Sequence, residues 1–364
     1  MRVPARCPVS SRRDFLELAG AALLAPVVSA AAAAAAGPST TGSSGSGPGS
    51  TGSDGGTRGI LLPRTLGKTG VQVSGLGVGG YHLGTMKSEA EAVRLVHEAI
   101  DAGLTFFDNA WEYNEGRSEQ WLGKALEGKR QQVFLMTKVC THGRDKRVAM
   151  QQLEESLRRL RTDHLDLWQV HEVVHDNDPA LHYQKGGVLE ALEEAKRQGK
   201  VRFVGFTGHK DPAIHLDMLQ RGFPFDSVQM PLNAFDATFR SFEQRVLPEV
   251  LKRGMVALGM KSLGGEGDPV KKGALAPEEA LRYALSLPAH VIISGMDKPE
   301  VLRQNLKVAR DFKPMSAEEM RALRERCRQL AADGRFELYK TSMKYDADVG
   351  RAQHGLPSMK ELGG

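Results

Sequence analysis

Residues 133–171, VFLMTKVCTHGRDKRVAMQQLEESLRRLRTDHLDLWQVH, contain one complete copy of the pattern that decides the fold. Two apolar runs, Val133–Lys138 and Leu165–His171, have the length and composition of buried strands. Between them, Ala149–Leu160 places its leucines on one face of a helix. A strand, an amphipathic helix and a second strand form a βαβ unit, whose two strands run parallel.

The same alternation of apolar runs and amphipathic stretches continues on both sides of this unit. It gives eight apolar runs after Leu61, at a mean spacing of about 31 residues, which is typical of βα repeats. The runs end near Gly80, Asn109, Lys138, His171, Gly208, Pro231, Met260 and Gly295. Eight consecutive βα units predict an α/β fold of the (β/α)8 TIM-barrel type rather than an open doubly wound sheet.

Further elements are predicted at the two ends of the barrel. Leu62–Val73 is predicted to form an N-terminal β-hairpin that closes the bottom of the barrel, because two glycines separate its β-prone residues. Ser316–Leu330 is predicted to add an extra C-terminal helix. The barrel domain is therefore expected to span residues 60–330, followed by a C-terminal tail over residues 331–364.

One motif favours a different fold. The stretch Gly75-Leu76-Gly77-Val78-Gly79-Gly80 has the G-x-G-x-x-G spacing of a dinucleotide-binding turn. That turn requires its glycines between a strand and the start of a helix. Here they lie within an apolar run, and the next helical pattern begins only near Ser88. A Rossmann fold is therefore less favoured than the barrel.

The composition indicates a globular protein. Of its 364 residues, 41% are hydrophobic and 26% are charged, so the chain can bury a core. The formal net charge is +5, and no basic helix interleaved with aromatic residues is present, so no nucleic-acid partner is expected. The three cysteines lie far apart without C-x-x-C spacing, so neither a disulfide framework nor a metal site is predicted.

The N-terminal segment has the pattern of an export signal. Arg12-Arg13 precedes an alanine-rich apolar stretch, Leu18–Ala36, so residues 1–36 look like a twin-arginine signal peptide. The alternative is a frayed amphipathic helix with a chance arginine pair. Residues 37–59, rich in Gly and Ser, are predicted to form a disordered linker.

These segments predict an exported protein. No other apolar stretch approaches the ~20 residues of a transmembrane helix, so no stable membrane span is expected in the mature protein. The predicted location is the periplasm or another exported compartment. The twin-arginine export machinery is the predicted partner during transport.

Four polar residues are predicted to converge at the rim of the barrel. Asp108, Lys138 and His171 end three successive apolar runs, and Tyr113 follows Asp108 in the next loop. Barrel enzymes carry their chemistry at the C-terminal ends of the strands. An ammonium near a phenol favours the phenolate, so Lys138 is expected to lower the pKa of Tyr113 and make it a proton donor. Asp108 would then hold Lys138, and His171 would donate a hydrogen bond to a carbonyl oxygen.

The sequence resembles the aldo-keto reductase family over about Leu62–Leu323, and the order and spacing of these four residues are part of the resemblance. The motif Phe107–Asn114, FDNAWEYN, is similar to the family's Asp-Thr-Ala-x-x-Tyr-Gly, with Asn109 and Asn114 in place of Thr and Gly. Thr137-Lys138 and Leu165–His171 also match. The resemblance implies an NAD(P)-dependent oxidoreductase that transfers a hydride between the nicotinamide and an aldehyde, ketone or sugar carbonyl or alcohol. It further implies a catalytic tetrad of Asp108, Tyr113, Lys138 and His171, with Tyr113 as the general acid and base.

The resemblance also implies a cofactor site. Its residues would be Gly80, Tyr81, Asp108, Thr207, Gly208, Gln229, Met260, Ser262, Leu263, Gly264, Gly295, Met296, Lys298, Gln304 and Asn305. Thr207 and Gly208 stand where the family has Ser-Asn, and Met260 replaces an aromatic residue that stacks on the nicotinamide.

The choice between NADP and NAD rests on the adenosine end of this site. The basic residues that commonly bind the 2′-phosphate fall on Val301 and Gly295, so only Lys298 or Arg303 could replace them. NADP is the expected cofactor, with NAD as an alternative. For the substrate, a small carbonyl compound or sugar, Trp111 and His171 are the expected contacts, whereas Trp168 should point away from His171.

A second functional class stays open at this point. Barrels of this family can keep the cofactor and lose turnover, so the chain could be an exported cofactor-bound sensing or interaction subunit. The intact tetrad favours the enzyme.

Overall fold

The structure is a computed structural model that describes residues 59–140, 145–343 and 345–362. The predicted signal peptide, residues 1–36, and all of the predicted linker except Gly59 lie outside the described residues. The boundaries proposed for these two segments therefore stay predictions.

Eight parallel strands close into a barrel, as the sequence predicts. Each strand is hydrogen-bonded to its neighbour in chain order, and the last pairs with the first. The strands are β3 (Leu76–Gly79), β4 (Phe106–Asp108), β5 (Phe134–Val139), β6 (Leu165–Val170), β7 (Val201–Thr207), β8 (Ser227–Pro231), β9 (Val256–Met260) and β10 (Val291–Gly295). All eight end within one residue of the predicted positions. The two preceding strands, β1 (Pro63–Thr65) and β2 (Gln72–Ser74), form the predicted antiparallel hairpin.

Helices follow the strands and surround the barrel. Up to β8 they are α1 (Gly80–Leu83), α2 (Glu89–Asp101), α3 (Arg117–Ala125), α4 (Lys146–Leu160), α5 (Asp178–His182), α6 (Val188–Arg197) and α7 (Pro212–Gln220). After β8 they are α8 (Phe242–Arg245), α9 (Leu247–Lys252), α10 (Asp268–Lys271), α11 (Pro277–Ser286), α12 (Pro299–Arg310), α13 (Ala317–Ala331), α14 (Leu338–Thr341) and α15 (Asp348–Gln353). Short 3-10 turns lie at Gly67–Thr69, Tyr113–Gly116 and Arg130–Gln132. Of the helices in the described residues, none has the length and apolar character needed to cross a bilayer.

The predicted extra helix is confirmed and has a strong start. Ser316 caps α13 by accepting a hydrogen bond from the backbone N–H of Glu319, and the Glu319 carboxylate accepts one from the backbone N–H of Ser316. This reciprocal pair satisfies two N–H groups that a helix otherwise leaves without partners.

The core has two layers. Inside the barrel, side chains from alternate strand positions pack together, and Leu66 and Val73 of the hairpin region join them and close the bottom. A larger cluster lies between the barrel and the surrounding helices. Trp168 belongs to this outer layer and is fully buried, so the prediction that it points away from His171 is confirmed.

The Rossmann alternative is wrong, because the glycine-rich stretch forms barrel strand β3, which pairs with β4 and β10. One detail of the argument against it is also wrong. The single-turn helix α1 begins directly after β3, at Gly80, although Ser88 does cap the first long helix, α2. Helix α1 has four residues, too few for a hydrophobic period to be recognised.

The described part of the C-terminal tail is anchored to the barrel by buried charges. The ammonium of Lys340, fully buried, lies 2.5 Å from Asp236 Oδ1 and 3.0 Å from Glu337 Oε1. Lys210 lies 2.5 Å from Asp346 Oδ1. These contacts hold the tail at the C-terminal ends of the strands, where the candidate site lies.

Replacing Lys340 with methionine should destabilise the fold strongly. The change leaves the buried carboxylate of Asp236 without its cation, and breaking a buried pair in this way typically costs about 3–5 kcal/mol. Urea denaturation measures the loss. The matched control is Lys307→Met, which removes an exposed ammonium paired with Asp311 and should change the free energy of unfolding by less than about 0.5 kcal/mol. Equal effects of the two changes would contradict the anchoring role of Lys340.

Candidate active site

The four predicted tetrad residues meet at the C-terminal rim of the barrel. Asp108 ends β4, Lys138 lies near the end of β5, and His171 directly follows β6. Lys138 Nζ donates to Asp108 Oδ1 at 2.5 Å and to the backbone oxygen of Asn109 at 2.7 Å, and it lies 3.5 Å from the Tyr113 hydroxyl. The rings of Tyr113 and His171 are 5.5 Å apart in an edge-to-face arrangement.

The loop after β4 fixes the position of Tyr113. Asn114 adopts a left-handed conformation, with φ 53° and ψ 40°, which Asn tolerates better than most residues. Its side-chain amide donates to the backbone oxygen of Tyr81 at 2.8 Å. Asn in place of the family's usual Gly therefore keeps the turn and adds a hydrogen bond to the neighbouring loop.

The expected pKa shift of Tyr113 is not found. Burial raises the pKa of the Tyr113 phenol well above its ordinary value, and the carboxylates of Asp108 and Glu112 raise it further. Lys138 stands at the limit of hydrogen-bond distance and is already paired with Asp108. In the structure the phenol is therefore held in its protonated form, contrary to the sequence-based expectation.

One residue in contact with the tetrad was missed by the sequence analysis. The Glu112 carboxylate accepts a hydrogen bond from Nδ1 of His171. Burial raises the pKa of Glu112, but the charge and hydrogen bond of His171 outweigh it, so the net shift is downward and the carboxylate stays ionised. Glu112 occupies an unspecified position of the motif, and its place directly before Tyr113 was the available clue.

Two further strand ends on the same rim of the barrel carry buried polar side chains. Thr207 and Gln229 are register partners in β7 and β8, and both are buried. Among the described residues, neither Thr207 Oγ1 nor Gln229 Oε1 has a hydrogen-bond partner. Met260, at the end of β9, places its sulfur 3.6 Å from Gln229 Nε2. A buried hydroxyl and a buried amide oxygen, both without partners, fit a planar carboxamide, which has both a donor and an acceptor.

The loop predicted to bind the pyrophosphate follows β9. Gly264 and Gly265 have φ values of 73° and 76°, the left-handed region that favours glycine. The backbone N–H of Gly264 donates to the backbone oxygen of Lys261 and closes a tight turn around buried Ser262 and half-buried Leu263.

Three of the remaining predicted cofactor residues are closely packed glycines, and a fourth, Tyr81, lies at the surface. The backbone at Gly80, Gly208 and Gly295 is packed so closely that a Cβ would lie within 2.5 Å of a neighbouring atom. At Gly295 that neighbour is the imidazole of His82, so a basic side chain has no room there. Tyr81 is half-exposed, and the edge of its ring meets Tyr113.

In the segment predicted to hold the adenosine, the side chains already have protein partners. Met296 is fully buried in the outer core, so only its backbone could meet a ligand. Gln304 donates to Glu278 at 2.7 Å, and Asn305 donates to Ser294 Oγ at 3.1 Å.

The two candidate bases for a 2′-phosphate differ in their surroundings. Arg303 pairs with Glu98 at 2.7 Å. Lys298 lies at the N-terminal end of α12. Of the two, Lys298 is the better placed to meet a phosphate.

Trp111 is held by the helix layer. Its indole N–H donates to Glu155 Oε2 on α4 at 2.8 Å, and the guanidinium of Arg159 lies 5.4 Å from its ring. These contacts fix the indole beside the site, and its role as a substrate contact stays a prediction.

The tail contacts two loops at the mouth of the barrel. The ammonium of Lys261, next to Met260, lies 5.3 Å from the ring centre of Tyr339 and 4.7 Å from that of Tyr345. Burial lowers the pKa of Lys261 to about 8. The backbone N–H of Ala347 donates to Glu172 Oε2, beside His171. The tail therefore joins the loop after β9 to the residue that follows the tetrad histidine.

Comparison with known proteins now assigns the family. Residues 75–267 match the Aldo/keto reductase family. The chain belongs to this family. It is an oxidoreductase of the aldo-keto reductase type, as the resemblance of the tetrad motif implied.

The chain is similar to individual relatives over most of their length. This aldo-keto reductase is 28% identical over 309 residues to an uncharacterized oxidoreductase, YqkF, of Bacillus subtilis (strain 168), covering 73% of this chain and 96% of that protein. Aldo-keto reductase AKR11C1 of Bacillus halodurans, solved in a holo form, is 26% identical with a TM-score of 0.61, covering 73% and 96%. An aldo/keto reductase of Klebsiella pneumoniae, solved with NADP and acetate, shares the fold at 23% identity and a TM-score of 0.61, covering 75% and 96%.

The buried carboxyl of Glu172 makes the free energy of unfolding depend on pH. Burial raises the pKa of Glu172 from 4.5 to about 7, against the opposing charge of His171. Because the folded state favours the neutral carboxyl, Glu172 contributes stability at low pH that is lost as the pH rises from about 4.5 to about 7. Glu172→Gln, which cannot ionise, should therefore lose less stability between pH 5 and pH 8 than the native chain, by roughly 2–3 kcal/mol.

Chemical denaturation at the two pH values measures this difference. Glu193→Gln removes an exposed carboxylate and serves as the control. Parallel pH profiles for the native chain and Glu172→Gln would show that the raised pKa of Glu172 is not coupled to folding.

Proposed function

We propose that this aldo-keto reductase transfers a hydride reversibly between NADP(H) and the carbonyl or alcohol carbon of a small aldehyde, ketone or sugar, with Tyr113 as general acid and base. The observation that carries the proposal is the buried ammonium of Lys138, bonded to Asp108 and lying 3.5 Å from the Tyr113 hydroxyl. The ammonium offsets part of the cost that burial and the nearby carboxylates place on a phenolate at Tyr113, so it assists the loss of the proton to a substrate oxygen.

The buried polar groups at the ends of β7 and β8 support nicotinamide binding. Thr207 Oγ1 and Gln229 Oε1 would hold the carboxamide, and Met260 would supply a polarizable thioether beside the ring. The loop at Ser262–Gly264 would hold the pyrophosphate through backbone N–H groups. When bound, the nicotinamide supplies or accepts the hydride, which no side chain can do.

The tetrad residues handle the proton and the developing charge. Because burial holds the pKa of Tyr113 high, the phenol keeps its proton until a carbonyl oxygen gains charge. The proton then passes to that oxygen, and the ammonium of Lys138 stabilises the phenolate that remains. His171, edge-on to Tyr113, donates a hydrogen bond to the same oxygen.

NADP is the proposed cofactor, and NAD is the alternative. A relative of the same fold from Klebsiella pneumoniae was solved with NADP. In this chain the imidazole of His82 blocks a basic side chain at position 295, and Arg303 is paired with Glu98. Lys298 is therefore left as the base for a 2′-phosphate, which favours modest discrimination between the two cofactors.

Tyr113→Phe separates an enzyme from a cofactor-bound sensing subunit. Loss of the acid should lower kcat for carbonyl reduction by about 10²–10⁴-fold, while the Kd for NADPH changes less than about threefold. Nicotinamide absorbance measures the rate, and fluorescence titration measures binding. Tyr183→Phe is the control, because Tyr183 donates to the backbone of Met218 away from the tetrad. A kcat for Tyr113→Phe within about tenfold of the native value would contradict the proposed acid.

We further propose that the protein is exported through the twin-arginine route and resides in the periplasm or an equivalent exported compartment. The support is the Arg12-Arg13 pair and the apolar stretch after it. Free NADP(H) is expected to be scarce outside the cytoplasm, so the cofactor must travel with the folded chain. Contact between the tail and the predicted pyrophosphate loop favours tight retention of the cofactor. The Tyr345 hydroxyl packs so closely against Gly265 that a Cβ on this residue would lie only 2.7 Å from it.

Protein isolated from the periplasm should therefore carry near-stoichiometric NADP(H). The cofactor should survive gel filtration, and the protein should turn over without added cofactor when a donor and an acceptor are both supplied. Enzymatic assay of released nucleotide per chain measures retention, with Tyr345→Ala as the variant expected to lose cofactor faster. Periplasmic protein that arrives empty and binds NADP(H) weakly would contradict cofactor export.

A further inference from the structure

Glu112 is a charged residue in contact with the tetrad, and the proposed reaction gives it no role. Its Oε1 accepts the hydrogen bond from His171 Nδ1, and the two side chains are 18% and 11% exposed. Glu112 directly precedes Tyr113, so one loop carries both the proposed acid and the carboxylate bound to its neighbour His171. The contact joins the loop after β4 to the end of β6.

This hydrogen bond determines where the protons of His171 lie. A carboxylate only accepts, so the Nδ1 that faces Glu112 must carry a proton. In a neutral imidazole with its proton on Nδ1, Nε2 is unprotonated and cannot donate to a carbonyl oxygen. For Nε2 to donate, the ring must carry both protons, and a carboxylate on Nδ1 is the partner that stabilises such an imidazolium.

The groups around His171 carry charges of both signs. They are Asp108, Glu112, Tyr113, Lys138, Glu172 and His209, and of these Glu112 is hydrogen-bonded to the ring. Burial holds the pKa of His209 well below its usual value, so that imidazole is neutral and adds no competing positive charge. Glu112 keeps its negative charge despite burial, because its pKa is lowered, so a carboxylate and not a carboxylic acid faces Nδ1.

We propose that Glu112 is a positioning residue that holds His171 as an imidazolium, with Nε2–H as the donor to the substrate carbonyl oxygen. This inference rests on the proposed hydride transfer. During reduction the hydride reaches the carbonyl carbon and the Tyr113 proton reaches the oxygen. His171 keeps both of its protons and Glu112 stays a carboxylate, so no further acid is consumed. The developing alkoxide then meets a full positive charge instead of a neutral donor, which strengthens the hydrogen bond.

Glu112→Gln tests the role of the charge, because the amide oxygen keeps an acceptor for Nδ1 but carries no negative charge. We expect kcat for carbonyl reduction at pH 7 to fall about 10–100-fold, with the Kd for NADPH within about threefold of the native value. The alkaline limb of the kcat profile should move to lower pH by about one unit or more. The matched control is Glu115→Gln, in the same loop, whose exposed carboxylate has the same charge to lose. This control should leave kcat and its pH profile unchanged.

A spectroscopic measurement separates this inference from the proposed function. In ¹⁵N NMR of the native chain near pH 7, both nitrogens of His171 should give imidazolium shifts, and in Glu112→Gln Nε2 should give the shift of a bare nitrogen. This readout needs no turnover and no substrate. Failure to reduce any carbonyl with NADPH would contradict the proposed function and leave the NMR test standing.

Two outcomes would overturn the role of Glu112. One is a native spectrum in which Nε2 is bare near pH 7. The other is a Glu112→Gln variant with an unshifted pH limb and native kcat. If Glu112→Gln fails to fold, the native spectrum alone decides, and Glu112→Asp, which keeps the charge on a shorter side chain, should retain the imidazolium signal.

Discussion

The buried ammonium of Lys138 is the group on which the rest of the site depends. Taking an ammonium out of water costs several kcal/mol unless acceptors surround it. Here the carboxylate of Asp108 and the backbone oxygen of Asn109 bind it, and the Tyr113 hydroxyl lies at 3.5 Å. These acceptors come from the neighbouring strand β4 and its loop, so β4 and β5 must be paired for the charge to be compensated. The position of the loop, and with it the phenol, is therefore tied to the barrel itself.

The sequence predicted the barrel and the tetrad because both follow from short-range patterns. Each apolar run stops where the strand meets the polar rim, which is why Asp108 and His171 could be placed at strand ends from the chain alone. The same pattern carries no information on contacts between distant segments. Lys340 and Asp236 are 104 residues apart, and nothing local to either residue indicates that they meet in the core.

The features that were missed or misjudged depend on tertiary surroundings. The expected pKa shift of Tyr113 considered Lys138 alone, whereas the structure adds burial and several carboxylates that reverse it. The sequence also carries no sign that Glu155 and Arg159 of α4 hold the indole of Trp111, because those residues lie more than 40 positions away along the chain. Helix α1 is too short to show a period. Burial and contacts between distant elements are not visible in a local pattern.

Two carboxylates, one at the end of β4 and one in the loop that follows, each bind a basic side chain of the site. Asp108 binds the ammonium of Lys138, and Glu112 binds the proposed imidazolium of His171, so Tyr113 lies between two opposite-charge pairs. Both carboxylates disfavour the phenolate, which keeps the proton on Tyr113 in the resting site. Both also hold a cation at the rim, ready for the negative charge that appears on a substrate oxygen. A raised pKa keeps the proton on Tyr113 until negative charge develops on the substrate oxygen, and the cations at the rim then stabilise the charge on that oxygen as it develops.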